Sequence, residues 1–346
     1  MALDIKSFSQ SIGVSTATVS RAFSGNGRIS EATKERILEE AKKAGFSPNI
    51  HARRLNMKKT GLIGLYYTFA DEPIFDYYIM ELAQELIKAA EMRDYAIHLE
   101  LGGSAKGKDV DRLAELTRGH GLDGIILVVD GRSSGLKLLK AVHDCPAAVI
   151  SGMPWTPVGD EIAIELDIRS GIHEAVKELA KLGHSRIGFI RGTADEGKLA
   201  AYKEALEELG LIVDPRLIAK GPLSFADGRN AFNQLAAHSP TAVICSTDVL
   251  ALGALNEAQR LGIRVPEDTS IVGMDDLAFS AFTTPSLSSI GIPRQQMAKT
   301  AVDCLLARFD MGKNLGRRAS SKHVINTFFV PRSSVCKNET KKNSIN

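Results

Sequence analysis

Two kinds of apolar pattern divide this 346-residue chain near position 60. Before that point, short amphipathic stretches predict three helices. Asp4 can cap the first, which runs to about Gln10, and Ser11-Ile12-Gly13 makes a turn. Ser15 can cap the second, which runs to Phe23. Within it Ala17, Val19 and Ala22 are compact, and Thr18 and Ser20 are polar. A loop over 24–27 follows. Ser30 caps the third helix, with Ile37, Leu38 and Ala41 at helical spacing and Gly45 ending it.

From Gly61 onward the pattern alternates strand with helix. Strands are predicted over 62–67, 95–99, 124–129 and 147–150, with helices over 78–92, 109–118 and 135–143 between them. The alternation then restarts. Helices at 171–182, 198–209, 227–237 and 249–261 are interleaved with strands at 187–190, 217–219, 242–245 and 270–274. A βαβα pattern given twice predicts two parallel sheets flanked by helices. Two such lobes make a cleft, and ligands of open α/β sheets bind beyond the carboxyl ends of the strands.

Charge separates the same two regions. Residues 1–59 carry 11 basic and 5 acidic side chains, whereas the remaining 287 carry 32 and 36. A basic head on a mildly acidic body points to a polyanion partner, with a solvated charged surface as the plainer alternative. The head also has the form of a helix-turn-helix, two helices joined by a tight Gly-containing turn. Its second helix offers the small polar and methyl-bearing side chains that let a backbone approach base edges in the major groove. Thr16, Ala17 and Arg21 are the candidates for base contact, and Ser15, Thr18 and Ser20 for phosphate contact. A small three-helix bundle whose hydroxyls only cap helices remains the competing reading.

Gly13-Val14-Ser15-Thr16-Ala17-Thr18-Val19-Ser20-Arg21 resembles the recognition segment of the LacI/GalR family of bacterial transcription regulators. The likeness continues through Arg28-Ile29-Ser30, Thr33-Lys34, Gly45-Phe46-Ser47-Pro48-Asn49 and Ala52-Arg53-Arg54-Leu55. It implies that the second helix reads the major groove, that residues 49–56 form a hinge helix ordered on operator DNA, and that Leu55 wedges into a minor-groove step. DNA contacts are accordingly expected from Ser15, Thr16, Ala17, Thr18, Ser20, Arg21, Arg28, Ser30, Thr33, Asn49, Ala52, Arg53, Arg54 and Leu55. Ser7-Phe8-Ser9 departs from the family's usual Asp-Val-Ala, but Ser9 is still small enough for the packing to survive.

The likeness extends along the body through residues 182–190, 265–268, 270–276, 283–290 and 330–334. The implied fold class is an N-terminal all-α helix-turn-helix head plus an α/β periplasmic-binding-protein-like body of two doubly wound lobes with three crossovers. The expected divisions are 1–46 for the head and 47–59 for the hinge and linker. The first lobe takes 60–160 with 292–322, the second 161–291 with 323–335, and 336–346 form a disordered tail. By family position the effector residues are Phe75, Ser151, Arg191, Lys198, Leu223, Thr247 and Asp275. Several depart from the usual pattern. Ser151 stands where the family often has an acid, Lys198 where most members have arginine, and Leu223 where an aromatic is common. Lysine gives a point charge where arginine forks two bonds onto vicinal hydroxyls. Phe75 suits stacking on a ligand or packing in the core. Trp155 suits the cleft rim or the cover of a lobe.

The reading is a DNA-binding transcriptional regulator, with repression favoured, whose operator affinity is set by a small-molecule effector. A sugar or sugar derivative is favoured. A nucleotide-like or anionic metabolite, or a protein co-regulator, is the alternative. A solute-binding module of the same fold would need an export signal and no basic head. An enzyme is not expected, since GxSxG, P-loop and HExxH patterns are missing and His184 belongs to a Gly-His-Ser turn. No cofactor or metal is expected. The four separated cysteines and the short apolar runs suit a cytoplasmic protein without a membrane partner. A palindromic operator of two half-sites implies a homodimer. The Lys- and Asn-rich end lacks the heptads of a tetramer-forming helix.

Overall fold

The computed structural model describes residues 4–24, 29–46, 59–68, 76–102, 108–118, 121–129, 131–143, 145–193, 195–310 and 321–339. The chain divides into two compact units, Met1–Gly61 and Leu62–Asn346.

The first unit is held by caps and a small aromatic core. α1 (Ile5–Ser11) begins where the Ser7 amide donates to the Asp4 carboxylate at 2.7 Å. α2 (Thr16–Ser24) starts on the Ser15 hydroxyl, which accepts from the Thr18 amide at 3.1 Å. α3 (Glu31–Ala44) starts on Ser30 in the same way, through the Thr33 amide at 3.2 Å. Gly45, at φ +61°, ends α3, and the Phe46 amide turns back to the Ala41 carbonyl at 2.9 Å. That turn delivers Phe46 onto Phe8, with ring centroids 4.2 Å apart and planes nearly parallel. Val19, Ala22, Ile37 and Ala41 complete the core, while Leu38 points outward instead. Ser9 is buried, its hydroxyl donating to the Lys6 carbonyl, so the departure from the family pattern packs without an orphaned group.

The second unit contains two six-stranded sheets. The first is built from β1 (Leu62–Thr68), β2 (Ala96–Gly102), β3 (Gly124–Val129), β4 (Ala147–Ser151), β5 (Ile162–Asp167) and β11 (Ser321–Asn326). Their order across the sheet is β11-β5-β4-β3-β1-β2, and all pairs are parallel. Such strands are covered on both faces and read as continuous apolar runs. The two-residue period still sorts them. Ile63, Leu65, Ile126, Val128, Ala148 and Ile150 pack with α4 (Tyr77–Glu91) and α11 (Arg294–Asp310). Ile125, Leu127, Val129, Ala147 and Val149 pack on the other face with Leu113 of α5 (Lys108–Arg118) and Leu138 of α6 (Arg132–Ala141).

The second sheet has the order β12-β10-β9-β8-β6-β7. It comprises β6 (Ile187–Arg191), β7 (Ile218–Lys220), β8 (Ala242–Cys245), β9 (Ser270–Asp275), β10 (Ser288–Gly291) and the antiparallel β12 (Phe328–Val330). α7 (Ile168–Lys181) and α8 (Glu196–Glu208) cover one face, and α9 (Phe225–Ala236) and α10 (Asp248–Arg260) the other.

The chain passes between the sheets after Asp167, at 292–293 and at Thr327. Two of these crossings are bonded together. The Thr327 hydroxyl donates to the Asp167 carbonyl at 2.8 Å and accepts from the Gly171 amide at 3.0 Å. A Cβ on Gly171 would lie 2.4 Å from Ile290 and 2.5 Å from the Thr327 hydroxyl, so only glycine allows this approach.

Two expected boundaries move. β5 and β11 both belong to the first sheet, so the first lobe runs to Asp167 rather than 160 and resumes to Asn326 rather than 322. Ile162, Ile164, Leu166 and Ile325 fill the first core, and so short an apolar run carries no periodicity to say which core it serves. The expected disordered tail also begins too early. His184 donates to the Cys336 carbonyl at 2.9 Å, and the Asn338 amide donates to the Leu182 carbonyl at 2.9 Å. His184 is thus a structural tether.

Trp155 covers the first lobe rather than rimming the cleft. It is fully buried against Gly135, with Arg132 over its ring at 5.4 Å. Glu161 holds the surrounding loop. It accepts from Trp155 Nε1 at 3.2 Å and from the amides of Val158 and Gly159 at 2.8 and 2.9 Å. Burial pushes the Glu161 carboxyl up, but these donors outweigh it and hold it below its ordinary value. A depressed carboxyl pKa gives stability that is present above the unfolded value, near 4.3, and lost as pH falls through the lower folded value. Glu161→Gln is therefore expected to cost about 1–3 kcal/mol at pH 7. It should also flatten the loss of stability below about pH 4.5, as read from urea titrations over a pH series.

Candidate functional site

In the head, burial separates the faces of α2. Val19 and Ala22 are buried, whereas Thr16, Ala17, Ser20 and Arg21 are exposed. These four occupy adjoining positions on one helical face, and the arginine adds charge to it. Ser15 and Thr18 share a hydroxyl contact of 2.8 Å, and Ser30 and Thr33 one of 2.7 Å. Capping uses the acceptor side of Ser15 and Ser30, and each pair keeps one hydroxyl proton for an outside acceptor. The base-contact candidates are thus brought onto one surface. Arg28, Asn49, Ala52, Arg53, Arg54 and Leu55 lie outside the described residues, as does Phe75.

In the body, the expected effector residues Arg191, Ser151 and Asp275 fall at the carboxyl ends of the parallel strands β6, β4 and β9. β9 ends at Asp275, which has φ +109°, followed by Asp276 at φ +51°. Such backbone is costly for a non-glycine residue. It is fixed from below by Asp248, the first residue of α10, whose buried carboxylate accepts from Ser289 Oγ (2.6 Å), Ser280 Oγ (2.7 Å) and the Leu277 amide (2.7 Å). The Asp276 amide donates to Ser289 Oγ at 3.0 Å, and Arg332 pairs with the Asp276 carboxylate at 2.6 Å.

This frame leaves the Asp275 carboxylate open. The residue is only 8% exposed, yet no hydrogen bond from the described residues reaches its side chain. Burial raises its pKa, Asp248 and Asp76 raise it further, and Lys198 opposes them. An acid so placed wants a donor from outside the protein.

Lys198, in the first turn of α8, is engaged already. Its ammonium donates to the Ser246 carbonyl at 2.9 Å and pairs with Asp195 at 3.3 Å. Burial works to neutralise it, but Asp195 and Asp275 outweigh that and keep it charged. Arg191, at the end of β6, is paired with Glu196 at 2.7 Å. Both cations expected to serve a ligand are thus neutralised by carboxylates of their own lobe.

The other expected residues have local partners. The Thr247 hydroxyl caps α10 by accepting from the Leu250 amide at 3.2 Å. Ser151 is buried and accepts from the Met153 amide at 3.1 Å. Leu223 lies exposed before α9. The structure therefore brings Lys198 and Asp275 together electrostatically, while Ser151 and Thr247 turn to their own backbone.

Two contributors were not among the expected residues. Asp76 caps α4, accepting from the Tyr78 and Ile79 amides at 3.0 and 3.3 Å and from Tyr67 Oη at 2.7 Å. Its field reaches both Lys198 and Asp275. The aspartate just before the predicted helix was the available signal. Tyr78 lies beside the same acids. Burial, then Asp275 and Asp76, raise its phenol pKa and keep it protonated, a donor at this end of the cleft. Nothing in the local sequence marks Tyr78 out from the apolar face of its helix.

Comparison with known proteins agrees with this architecture. Residues 7–49 match the domain model of the bacterial regulatory proteins of the lacI family, and residues 176–335 that of a periplasmic binding protein-like domain. The transcriptional repressor CytR of Escherichia coli (strain K12) is 30% identical over 312 residues, covering 88% of each chain. The structure of a CelR–cellobiose complex superposes with a TM-score of 0.68 at 25% identity, covering 96% of this chain and 99% of that one. The lac repressor dimer bound to operator superposes at 0.77 with 21% identity, over 97% and 100% of the two chains. Among the described residues no helix is long and apolar enough to cross a membrane. The chain belongs to the lacI family of bacterial regulatory proteins and is a DNA-binding transcriptional repressor, not an enzyme.

Proposed function

We propose that this repressor is a homodimer on a two-half-site operator and that a neutral, hydroxyl-rich effector of the carbohydrate class sets its affinity. One observation carries the choice of effector: the buried Asp275 carboxylate has no donor among the described residues, while Lys198 and Arg191 are both paired. A sugar supplies hydroxyl donors to Asp275 and accepts from Tyr78 without displacing an ion pair. An anion seated on Lys198 would have to break its shielded pair with Asp195, which counts against the anionic alternative. The similarity to CelR, whose structure is a complex with cellobiose, supports the same class.

The dimer reading is supported by the exposed apolar side chains Met80 and Ile87 along α4, and by Phe282, which is 86% exposed. Residues 49–56 are assigned by resemblance to a hinge helix with Leu55 as its wedge. Effector and operator are then linked through lobe closure. A ligand that favours one closure state changes how well the two hinge helices pair over the minor groove.

Selecting a preferred duplex from a random library with the full-length chain tests the DNA reading. Arg21→Ala is expected to weaken that site by about 1–3 kcal/mol and relax the preference at one base pair of each half-site. Leu55→Ala should weaken binding through the central step and leave the half-site preference intact. Retained affinity in both variants would remove these assignments.

Calorimetry with the full-length chain tests the effector. A neutral mono- or disaccharide should bind and be lost in Asp275→Asn. Binding confined to sugar phosphates or sugar acids, and abolished by Lys198→Ala, would instead favour the anionic class.

A further inference from the structure

We propose that Glu81 and Arg294 form a positioning pair that ties the aim of Asp275 to closure of the two lobes. The inference rests on the reading of Asp275 as the effector's acceptor.

Both members of the pair move with the first lobe. Glu81 lies on α4 beside Leu82, and Arg294 opens α11, whose Met297, Ala298, Ala301 and Val302 fill the first core. What they hold belongs to the second lobe. Arg294 Nη2 donates to the Asp276 carbonyl at 2.7 Å, and Nη1 donates to the Asp275 carbonyl. The Ala278 amide donates to Glu81 Oε1 at 2.8 Å, and Glu81 Oε2 pairs with Arg294 at 2.9 Å. One carboxylate and one guanidinium thus grip three backbone groups, on Asp275, Asp276 and Ala278, of the turn that carries Asp275.

The geometry makes this grip consequential for three reasons. First, the turn is rigidly part of the second lobe through Asp248, Ser289 and Arg332. A movement of the lobes therefore strains the grip instead of being absorbed by the turn. Second, the guanidinium draws together the carbonyls of Asp275 and Asp276, both at positive φ, so it favours the backbone conformation from which the Asp275 side chain projects. Third, the Arg294 side chain is 13% exposed and that of Glu81 26%, so solvent screens the pair weakly. Tyr77 adds an aromatic contact along the same seam, with its ring centroid 5.6 Å from Phe279 and 6.5 Å from Phe225.

Glu81 is thereby a positioning residue without touching the effector. A ligand engaging Asp275 acts on the turn that the first lobe holds, and losing Glu81 should loosen the lobes while leaving the cleft floor in place.

Spin-label distance measurement on the full-length chain without effector tests this. Labels at Ser133→Cys on α6 and Ala200→Cys on α8, with Cys304→Ser and Cys336→Ser, report lobe separation. Glu81→Ala is expected to shift the distance distribution to longer values and broaden it. Glu81→Gln, which keeps an acceptor for the Ala278 amide, should give an intermediate shift and is the milder variant if the alanine chain folds poorly. Hydrogen exchange at the Ala278 amide should accelerate in the alanine variant and less in the glutamine variant. Distributions that superimpose on that of the parent chain, even with a lowered thermal midpoint, would reduce the pair to local packing and overturn the proposal. Because no effector is present, this result stands apart from the calorimetry on Asp275→Asn, and either reading can fail alone.

Discussion

A single buried carboxylate organises the working end of the second lobe. Asp248 has no exposed surface, and burying an acid there is costly unless donors surround it. Ser289, Ser280 and the Leu277 amide provide them, from a neighbouring strand and from the turn after β9. The requirement to satisfy Asp248 therefore fixes where that turn runs. Gly273 allows the approach, since a Cβ there would fall 2.0 Å from Asp248 Oδ1. With this frame go the positive φ at Asp275 and Asp276 and a buried Asp275 carboxylate that accepts no hydrogen bond from the described residues. Burial pushes the Asp248 carboxyl above its ordinary range, and its charge in turn raises that of Asp275.

Around that frame, the cleft is electrostatically self-contained. Asp195 compensates Lys198, and Glu196 compensates Arg191. The Lys198–Asp195 pair is shielded from solvent, which strengthens it, whereas Glu196 is mostly exposed and its pair with Arg191 is screened. On the proposed reading, specificity falls to hydrogen bonds rather than net charge, with Asp275 accepting and Tyr78 donating. The crossings behave in a related way. Thr327 bonds two of them to each other, so the lobes are joined by a short hydrogen-bonded strap. On the cleft side the contacts of Glu81 and Arg294 span the same two lobes.

The head shows a division of labour within one small helix. Phe8, Val19, Ile37 and Phe46 supply the core, and hydroxyls at Ser15 and Ser30 start the helices. The remaining surface of α2 carries Thr16, Ala17, Ser20 and Arg21, short groups around one long cation. Short side chains bring the backbone near a groove, and Arg21 can reach past them.

The sequence alone determined the division near residue 60, the three head helices with their caps, and most of the alternating strands and helices. These are set by local rules: capping hydroxyls, a left-handed Gly45, and apolar periodicity. It also determined the exposed face of α2 that is proposed to read DNA, because Thr16, Ala17, Ser20 and Arg21 follow from helical spacing once Val19 and Ala22 are inside. It did not reveal that β5 and β11 complete the first sheet, since a short buried strand looks alike in either lobe. Nor did it show that Lys198 and Arg191 are paired, that Thr247 and Ser151 face their own backbone, that Tyr78 lies in the field of Asp275, or that Glu81 and Arg294 meet the turn after β9. Glu81 and Arg294 are 213 positions apart in the chain, and only the return of α11 to the first lobe makes them neighbours. Pairings of that kind depend on which lobe each segment rejoins, and the tertiary structure alone decides it.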